Sequence, residues 1–168
     1  AALGGLFTFS LMRAELRTAL FLAEQLMQLA QKTQFAAFFL WADLCLGRAH
    51  LTLGDVTSAH KLLAHALTRY DPQKHRVPAL QDPGVLSLSY LAQVLWLLGY
   101  PDQAVYRSQE ALNLAREIAH PLSLAHALQS AARIHLGCGD LSATRKLADE
   151  LTHFAQEQGF AVHEAGGM

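Results

Sequence analysis

The chain has 168 residues, of which 52% are hydrophobic and only 16% are charged, and its formal net charge is −1. This length and hydrophobic content fit a folded unit with a sizeable buried core. A nearly neutral balance argues against proteins that bind nucleic acid or anionic membranes, because both need an excess of basic residues. No run of about 18 uninterrupted apolar residues is present, so the sequence predicts no membrane span. The near-neutral charge likewise predicts no nucleic-acid partner.

The two cysteines, Cys45 and Cys138, are isolated and belong to no metal or redox motif. Isolated thiols are typical of a reducing compartment, and no basic-then-apolar signal peptide precedes the first apolar segment. We therefore expect a cytoplasmic protein. The chain starts without methionine and directly in an apolar segment, so we also expect it to be a piece of a longer protein.

The first half of the chain predicts two helix pairs. Residues 2–13 are apolar nearly all round, which is typical of a helix covered by neighbours on every side. Residues 15–32 carry apolar side chains at i, i+3, i+4 and i+7, the spacing of an amphipathic helix. A third helix is predicted from 35 to 53. Gly54 can end it in the left-handed conformation and Asp55 can cap the fourth, which ends near residue 70.

The second half repeats this arrangement after one long connection, residues 71–82. Helices are predicted at 83–98 and 101–119, and then at about 121–136 and 141–158. Aspartate before a proline is a good helix start, because the side chain caps free N–H groups and proline lacks one. Asp82 followed by Pro83 has this pattern.

A small residue recurs near the start of each second helix, and these residues lie 40, 45 and 40 positions apart: Ala19, Ala59, Ala104 and Thr144. A fixed period with two helices per unit indicates a solenoid, in which each unit packs on its neighbours. No alternating apolar pattern predicts a strand. The predicted fold is all-α, a right-handed α-solenoid of about four helix-turn-helix repeats with a period near 40. The repeats are 2–33, 35–71, 83–119 and 121–159, in a single domain.

The second and third repeats resemble the tetratricopeptide repeat (TPR). The residues at that family's spacing are Leu46-Gly47, His50, Gly54-Asp55, Ala59, Leu63 and Ala66, and then Leu91-Ala92, Gly99, Ala104 and Ala111-Leu112. The resemblance implies that glycine or alanine at these points lets paired helices approach closely. Asp43 and Leu88 replace the family's early tryptophan, Thr144 replaces an alanine, and the first repeat lacks a glycine in its turn.

Residues 70–112 also resemble the C-terminal helical-repeat region of large bacterial signalling ATPases. The matching segments are Tyr70-Asp71-Pro72-Gln73, Gln81-Asp82-Pro83-Gly84-Val85, LWLLGYPDQA and SQEAL. Some of those proteins carry cyclase, kinase or DNA-binding modules, and regulators of the maltose-activator type have similar repeats. This resemblance implies a sensor or interaction arm. The phosphate-binding motif GxxxxGK[ST] does not occur in the chain.

No catalytic or metal-binding motif stands out in the sequence. Nine histidines are present, but none forms an i, i+4 pair on one predicted helix and HExxH is absent. We expect packing or surface roles for them rather than metal binding. No Ser/His/Asp constellation and no carboxylates three or four residues apart are found, and basic residues are too sparse for an RNA-binding stripe. The sequence predicts a protein that is not an enzyme and has no cofactor.

The TPR resemblance implies that the first helix of each pair lines a concave groove. The residues placed there are Trp41, Arg48, Ser89, Gln93, Trp96, His126, Gln129 and Arg133. Arg48, Gln93 and Arg133 share one repeat position. Two interpretations remain open, a groove that holds an acidic or extended peptide with arginine on carboxylates, and polar side chains that face water. The two tryptophans are either core residues or a ligand platform.

The sequence thus favours a non-catalytic scaffold for protein–protein interaction or effector sensing. The alternative is a small-molecule sensor groove that controls an attached ATPase or transcription-regulator module. A closed apolar pocket around Arg48, Gln93 and Arg133 would favour the sensor, and a long open groove would favour a peptide or protein partner.

Both ends of the chain are expected to expose apolar surface. The first helix carries more apolar side chains than one neighbour can cover, and Phe160 and Val162 resemble the start of a further helix. Terminal repeats normally need a polar outer face. We therefore expect self-association through the exposed ends.

Overall fold

The computed structural model describes residues 2–75 and 81–158, and all regular structure in these ranges is α-helical. The helices are α1 (Ala2–Met12), α2 (Leu16–Thr33), α3 (Ala36–Thr52), α4 (Val56–Arg69), α5 (Pro83–Leu97), α6 (Pro101–Ile118), α7 (Pro121–Gly137) and α8 (Leu141–Gln158). Their ends agree with the predicted ends to within about one residue, the usual uncertainty of helix termini. The predicted all-helical repeat fold is confirmed. Phe160 and Val162 lie outside the described residues.

The chain divides into two compact units, Ala1–His75 and Arg76–Met168. In the first unit α3 packs against α2 and α4, and α1 packs mainly against α2. In the second unit α7 packs against α5, α6 and α8, and α5 packs against α6. Each unit therefore contains two helix pairs, and the joining of all four pairs into one domain stays a prediction.

The turn inside each helix pair has the same backbone geometry. An N–H group in each turn donates to the carbonyl five residues earlier at 2.9 Å, which is the long bond of a Schellman motif. The donor and acceptor residues are Glu15 and Ser10, Asp55 and His50, Tyr100 and Leu95, and Asp140 and His135. The residue before each donor has positive φ: Ala14 (57°), Gly54 (86°), Gly99 (86°) and Gly139 (78°). The first pair therefore makes the turn without glycine.

Aspartate side chains cap three of the helices. Asp55 Oδ1 accepts from the Ser58 N–H at 3.0 Å, and Asp82 Oδ1 accepts from the N–H groups of Gly84 and Val85 at 2.9 and 3.1 Å. Asp140 repeats the Asp55 arrangement on α8. Hydrogen bonds to the charged carboxylate lower the pKa of Asp55 and of Asp140. The predicted caps at Asp55 and Asp82 are confirmed.

Small residues sit where the helices of a pair come closest. Ala19, Ala59 and Ala104 are completely buried. A Cβ atom at Gly47 in α3 would lie 2.7 Å from Leu63 Cγ in α4, closer than two carbon atoms can approach. Glycine at 47 is therefore required by the packing of Leu63, as the TPR resemblance implied.

The register between α5 and α7 shows the repeat period directly. The Asp82 N–H donates to Ser123 Oγ at 2.8 Å, and Ser130 Oγ donates to the Ser89 carbonyl at 3.3 Å. Each of these bonds joins residues 41 positions apart. In this unit, therefore, residues about one predicted period apart are hydrogen-bonded to each other across α5 and α7.

The outer side of the first helix is not covered by any of the described residues. Phe7 is buried against the rest of the first unit, while Leu6, Phe9 and Met12 are 53%, 56% and 80% exposed. The interpretation of α1 as a helix covered on every side is therefore wrong for the described chain. The expectation of exposed apolar surface at this end is confirmed, because α1 is packed on one side only.

A buried carboxylate interrupts the apolar contact between α3 and α4. Asp43 Oδ2 lies 3.1 Å from His65 Nδ1 and 3.2 Å from Arg69 Nε, which are distances of ion pairs. Burial raises the pKa of Asp43, and the two neighbouring side chains oppose this only in part. The other three pairs carry leucine at this repeat position: Leu3, Leu88 and Leu128.

Replacing Ala14 by glycine should stabilise the protein. An L-residue with positive φ is strained, so Ala14→Gly is expected to raise the free energy of unfolding by about 0.5–1 kcal/mol. The reverse change, Gly99→Ala, should lower it, although a Cβ there would meet no atom within 4 Å. Chemical denaturation of both variants measures the effect, and equal stability of all three proteins would contradict the turn geometry.

Enlarging Ala104 should destabilise the second unit. Ala104→Leu places extra methyl groups in a fully packed helix contact, which typically costs about 1–3 kcal/mol. Gln103→Leu, at the neighbouring exposed position, is the control and should change the melting temperature little. An unchanged melting temperature in Ala104→Leu would mean that the repeat register is misassigned.

Replacing Asp43 together with Arg69 by apolar residues should stabilise the first unit. The double change Asp43→Leu with Arg69→Met is expected to add about 1–4 kcal/mol, because apolar packing then replaces a desolvated charge pair, whereas Asp43→Leu alone leaves the buried Arg69 Nε without the carboxylate beside it. Asp43→Ala should be less stable than Asp43→Leu because it leaves a cavity.

The stability difference between the wild type and a variant without the Asp43 carboxylate should also depend on pH. A raised pKa means that the folded protein binds the proton more tightly than the unfolded chain, so the wild type gains stability as pH falls through the raised value. The advantage of the double variant should therefore be largest at neutral pH and shrink on acidification. Melting curves over a pH series measure it, and a constant difference would refute the burial effect.

Candidate functional site

The candidate site in the second unit centres on a side-chain pair between α5 and α7. With the Gln93 carboxamide oxygen facing α7, it accepts from Arg133 Nη1 at 3.1 Å and from Nη2 at 2.7 Å. The orientation of an amide group is assigned from such contacts. Two bonds to one oxygen fix the guanidinium plane while its remaining N–H groups stay available. Arg133 itself is exposed.

An aromatic pair lies on the same two helices. The rings of Tyr90 on α5 and His126 on α7 have centroids 5.4 Å apart at an interplanar angle of 56°, and both residues are half-buried. Gln129, one turn before Arg133, is also half-buried. Together these residues form what we call the α5/α7 surface: Tyr90, Gln93, His126, Gln129 and Arg133.

The charge of this surface comes from one residue. The α5 sequence contains no Asp, Glu, Lys or Arg, and Arg133 is the single residue of these types in α7. Both helices are deeply packed, which accounts for their apolar composition. A fixed guanidinium among aromatic and amide groups can bind a carboxylate and adjacent peptide groups.

Two other predicted residues of this unit have different surroundings. Ser89 is 1% exposed, and its backbone carbonyl accepts the Ser130 bond. Trp96 is partly exposed and its ring lies against Gly137, where a Cβ atom would come within 2.7 Å of the indole. Trp96 therefore packs at the end of α5 next to the turn.

The other two predicted residues, Trp41 and Arg48, belong to the first unit. Trp41 is half-buried and packs against the apolar cluster that α2 and α3 share. The Arg48 guanidinium carbon lies 5.4 Å from the centre of the Phe7 ring, a cation–π contact. The structure thus gives Trp41 and Arg48 packing contacts within this unit.

Sequence reasoning missed Tyr90 and Ser130. These two residues occupy the same repeat position, nine residues before the turn glycines Gly99 and Gly139, and only an aligned set of repeats makes that visible. Position alone would still not have revealed the contact between Tyr90 and His126, because the two side chains belong to different repeat positions and meet through side-chain reach.

The described residues were compared with what a metal site, a reactive thiol, a ligand cavity or a membrane span requires. No group of three or more His, Cys, Asp or Glu side chains there could hold a metal ion. Burial raises the pKa of the Cys45 thiol to about 12, so this thiol is unreactive at neutral pH. A cavity of about 560 Å³ lies on α8, lined by Leu141, Ser142, Arg145, Lys146 and Asp149. None of the described helices is long and apolar enough to cross a membrane.

Comparison with known proteins gives the fold a wider context. No protein-family model and no curated protein matches the chain. Two solved structures of a putative kinesin light chain from Podosopora anserina, with nearly identical TPR-like repeats, are similar to it. One of them, a point variant, has a TM-score of 0.65 at 19% identity, over 95% of this chain and 76% of that one. The other has a TM-score of 0.62 at 20% identity, over 94% and 76%. The chain therefore has the fold of TPR-like helical-repeat proteins.

Proposed function

We propose that the chain is a non-catalytic scaffold that binds an extended, acidic peptide segment of a protein partner on the α5/α7 surface. The observation that carries this proposal is the contact between Gln93 and Arg133, in which both terminal nitrogens of an exposed guanidinium donate to one amide oxygen and are oriented by it. A fixed guanidinium loses less conformational entropy when it binds a carboxylate than a free one does.

The surroundings of Arg133 support a peptide rather than a highly charged ligand. With no acidic residue on α5 or α7, the guanidinium meets no competing carboxylate from these two helices. Tyr90 and His126 offer half-buried rings for an apolar side chain, and Gln129 offers an amide for the peptide backbone. A peptide with one or two acidic residues beside an apolar residue fits this combination.

The small-molecule sensor alternative expected an enclosed pocket around the predicted polar residues. The α8 cavity includes neither Gln93 nor Arg133. It therefore gives that alternative no support, and a partner that lies along the surface remains the better proposal.

The wider setting is proposed from the sequence resemblance of residues 70–112. In that setting the scaffold is a cytoplasmic interaction or effector-sensing arm of a larger bacterial signalling ATPase, and binding on this surface controls the attached module. Reading the complete gene tests this setting, and a gene that encodes no nucleotide-binding module would reject it. The peptide-binding proposal does not depend on the outcome.

Reversing the charge of Arg133 should weaken peptide binding. A display library of short acidic and neutral peptides identifies a probe, and fluorescence anisotropy then measures its Kd. Arg133→Glu is expected to lose about 2 kcal/mol or more, roughly 30-fold in Kd, because a carboxylate would face the peptide's own carboxylates.

Arg145→Glu on α8 is the matched control, since it makes the same charge change at another exposed arginine. It should bind like the wild type. Gln93→Leu tests the positioning role, because it leaves Arg133 in place but removes its fixing contact, and an intermediate loss is expected. Wild-type affinity in Arg133→Glu, or equal losses in Arg133→Glu and Arg145→Glu, would rule out the α5/α7 surface.

A further inference from the structure

In the second helix pair, a charge pair stands where the other pairs carry apolar residues. Asp43 is 2% exposed and lies at a position that leucine fills in the other three pairs. Counted from the turn residue in the same way, Arg69 also stands at an apolar position, held elsewhere by Leu29, Leu114 and Phe154. A buried charge pair is usually less stable than apolar packing of similar size. Such a departure from the repeat pattern is expected where a function requires it.

The buried carboxylate holds two side chains of α4 with one oxygen atom. Asp43 Oδ2 lies 3.1 Å from His65 Nδ1 and 3.2 Å from Arg69 Nε. The Arg69 guanidinium carbon also lies 4.9 Å from the centre of the Phe39 ring, a cation–π contact. The carboxylate and the ring therefore restrict the guanidinium together. Because His65 and Arg69 are four residues apart on one helix, their side chains share a face of α4.

The parts of His65 and Arg69 that face away from Asp43 are accessible. Arg69 Nε is buried while 35% of the side chain is exposed, so the terminal nitrogens Nη1 and Nη2 are the part that a ligand can reach. His65 directs Nδ1 towards Asp43 with 52% of its side chain exposed, which leaves Nε2 on the outer edge of the ring. Lys61, one turn earlier, is exposed on the same face. The sequence of α4 contains no Asp or Glu, so this basic face meets no carboxylate from its own helix.

We propose that His65 and Arg69 form a binding site for a phosphate group, either the free ion or a monoester, with Asp43 as the residue that positions them. A guanidinium fork already occupies both oxygens of a carboxylate, whereas a tetrahedral phosphate has a further oxygen for His65. His65 Nε2 donates to that oxygen when the ring is protonated and accepts from a P–OH group when it is neutral. The site lies within the first unit and does not rest on the proposed peptide binding.

Asp43 has two effects of opposite sign on a bound phosphate. Its charge repels the anion, whereas its contacts with His65 and Arg69 reduce the conformational entropy that these side chains lose on binding. Removing the carboxylate therefore separates two explanations of phosphate binding. General attraction to a basic surface predicts tighter binding without Asp43, and the positioning role predicts weaker binding.

An NMR titration of the full chain with inorganic phosphate, at an ionic strength held constant with chloride, tests the site. The imidazole signals of His65, assigned with His65→Gln, should shift and saturate with a Kd of about 1 mM. Arg69→Lys keeps the charge beside Asp43 but removes the fork, and it should raise the Kd about tenfold. Arg145→Lys, the same change at an exposed arginine of α8, is the control and should leave the Kd unchanged.

A second titration, with O-phosphoserine, separates the two sources of the phosphate group. Binding of both compounds shows that the site takes a phosphate monoester. Binding of inorganic phosphate alone restricts the site to the free ion. Either result supports the site, because both compounds present the same oxygens to the guanidinium and the imidazole.

Asp43→Leu and Asp43→Asn test the positioning role, because they remove the same charge and differ in the oxygen beside His65 and Arg69. Asp43→Asn should bind phosphate more tightly than Asp43→Leu, and Asp43→Leu more weakly than the wild type. Circular dichroism checks that helicity is kept, and if Asp43→Leu unfolds, the comparison of Arg69→Lys with Arg145→Lys still decides the site.

Three results would overturn the phosphate site. The first is the absence of a saturable shift of the His65 signals in the wild type. The second is a folded Asp43→Leu variant that binds phosphate at least as tightly as the wild type. The third is an equal change of Kd in Arg69→Lys and Arg145→Lys, which would show that the fork of Arg69 has no special part in binding.

Discussion

The close approach of paired helices at small residues is the constraint on which the rest of the structure depends. Helices packed through alanine or glycine bring their backbones nearer than larger side chains allow, and each contact atom then adds dispersion energy. Ala19, Ala59 and Ala104 are fully buried at such points, and Gly47 gives Leu63 the space that a methyl group would fill. In the second unit, packing buries most residues of α5, and this helix contains no charged residue.

Much of the fold could be predicted because its signals are local. Glycine in the turns, aspartate at the caps and proline at the first helical position each act within a few residues, so helix ends follow from the sequence. The exception shows the limit of this reasoning. Ala14 adopts the left-handed conformation without being glycine, because the long Glu15–Ser10 hydrogen bond and the α1–α2 packing impose the same turn as in the other pairs. Tertiary packing, rather than propensity, decides that residue.

The candidate site was predicted less completely, because the partner of a side chain depends on how two helices are aligned and on how far the side chain extends. The shared repeat position of Gln93 and Arg133 was visible in the sequence, and the packing of α5 against α7 brings them into contact. Nothing local indicated that Arg48, at the same position, would lie over the Phe7 ring. Nor could the repeat pattern reveal that the buried Asp43, at a position held by leucine in the other pairs, would lie within ion-pair distance of His65 and Arg69. At each of these two repeat positions, the side chains and their contacts thus differ between the two units.

A constant backbone can carry this variation because most packing contacts and most variable polar side chains use different repeat positions. The positions that hold helix pairs together are mostly alanine, glycine and leucine and leave little freedom for change, with Asp43 and Thr144 as exceptions. The position shared by Thr8, Arg48, Gln93 and Arg133 is free of that packing constraint and carries a different polar group in nearly every pair. Among these residues the guanidinium of Arg133 is both exposed and held by a neighbouring helix, while that of Arg48 lies over an aromatic ring. The orientation of one arginine by one amide is therefore the observation on which the proposed peptide-binding surface of α5 and α7 rests.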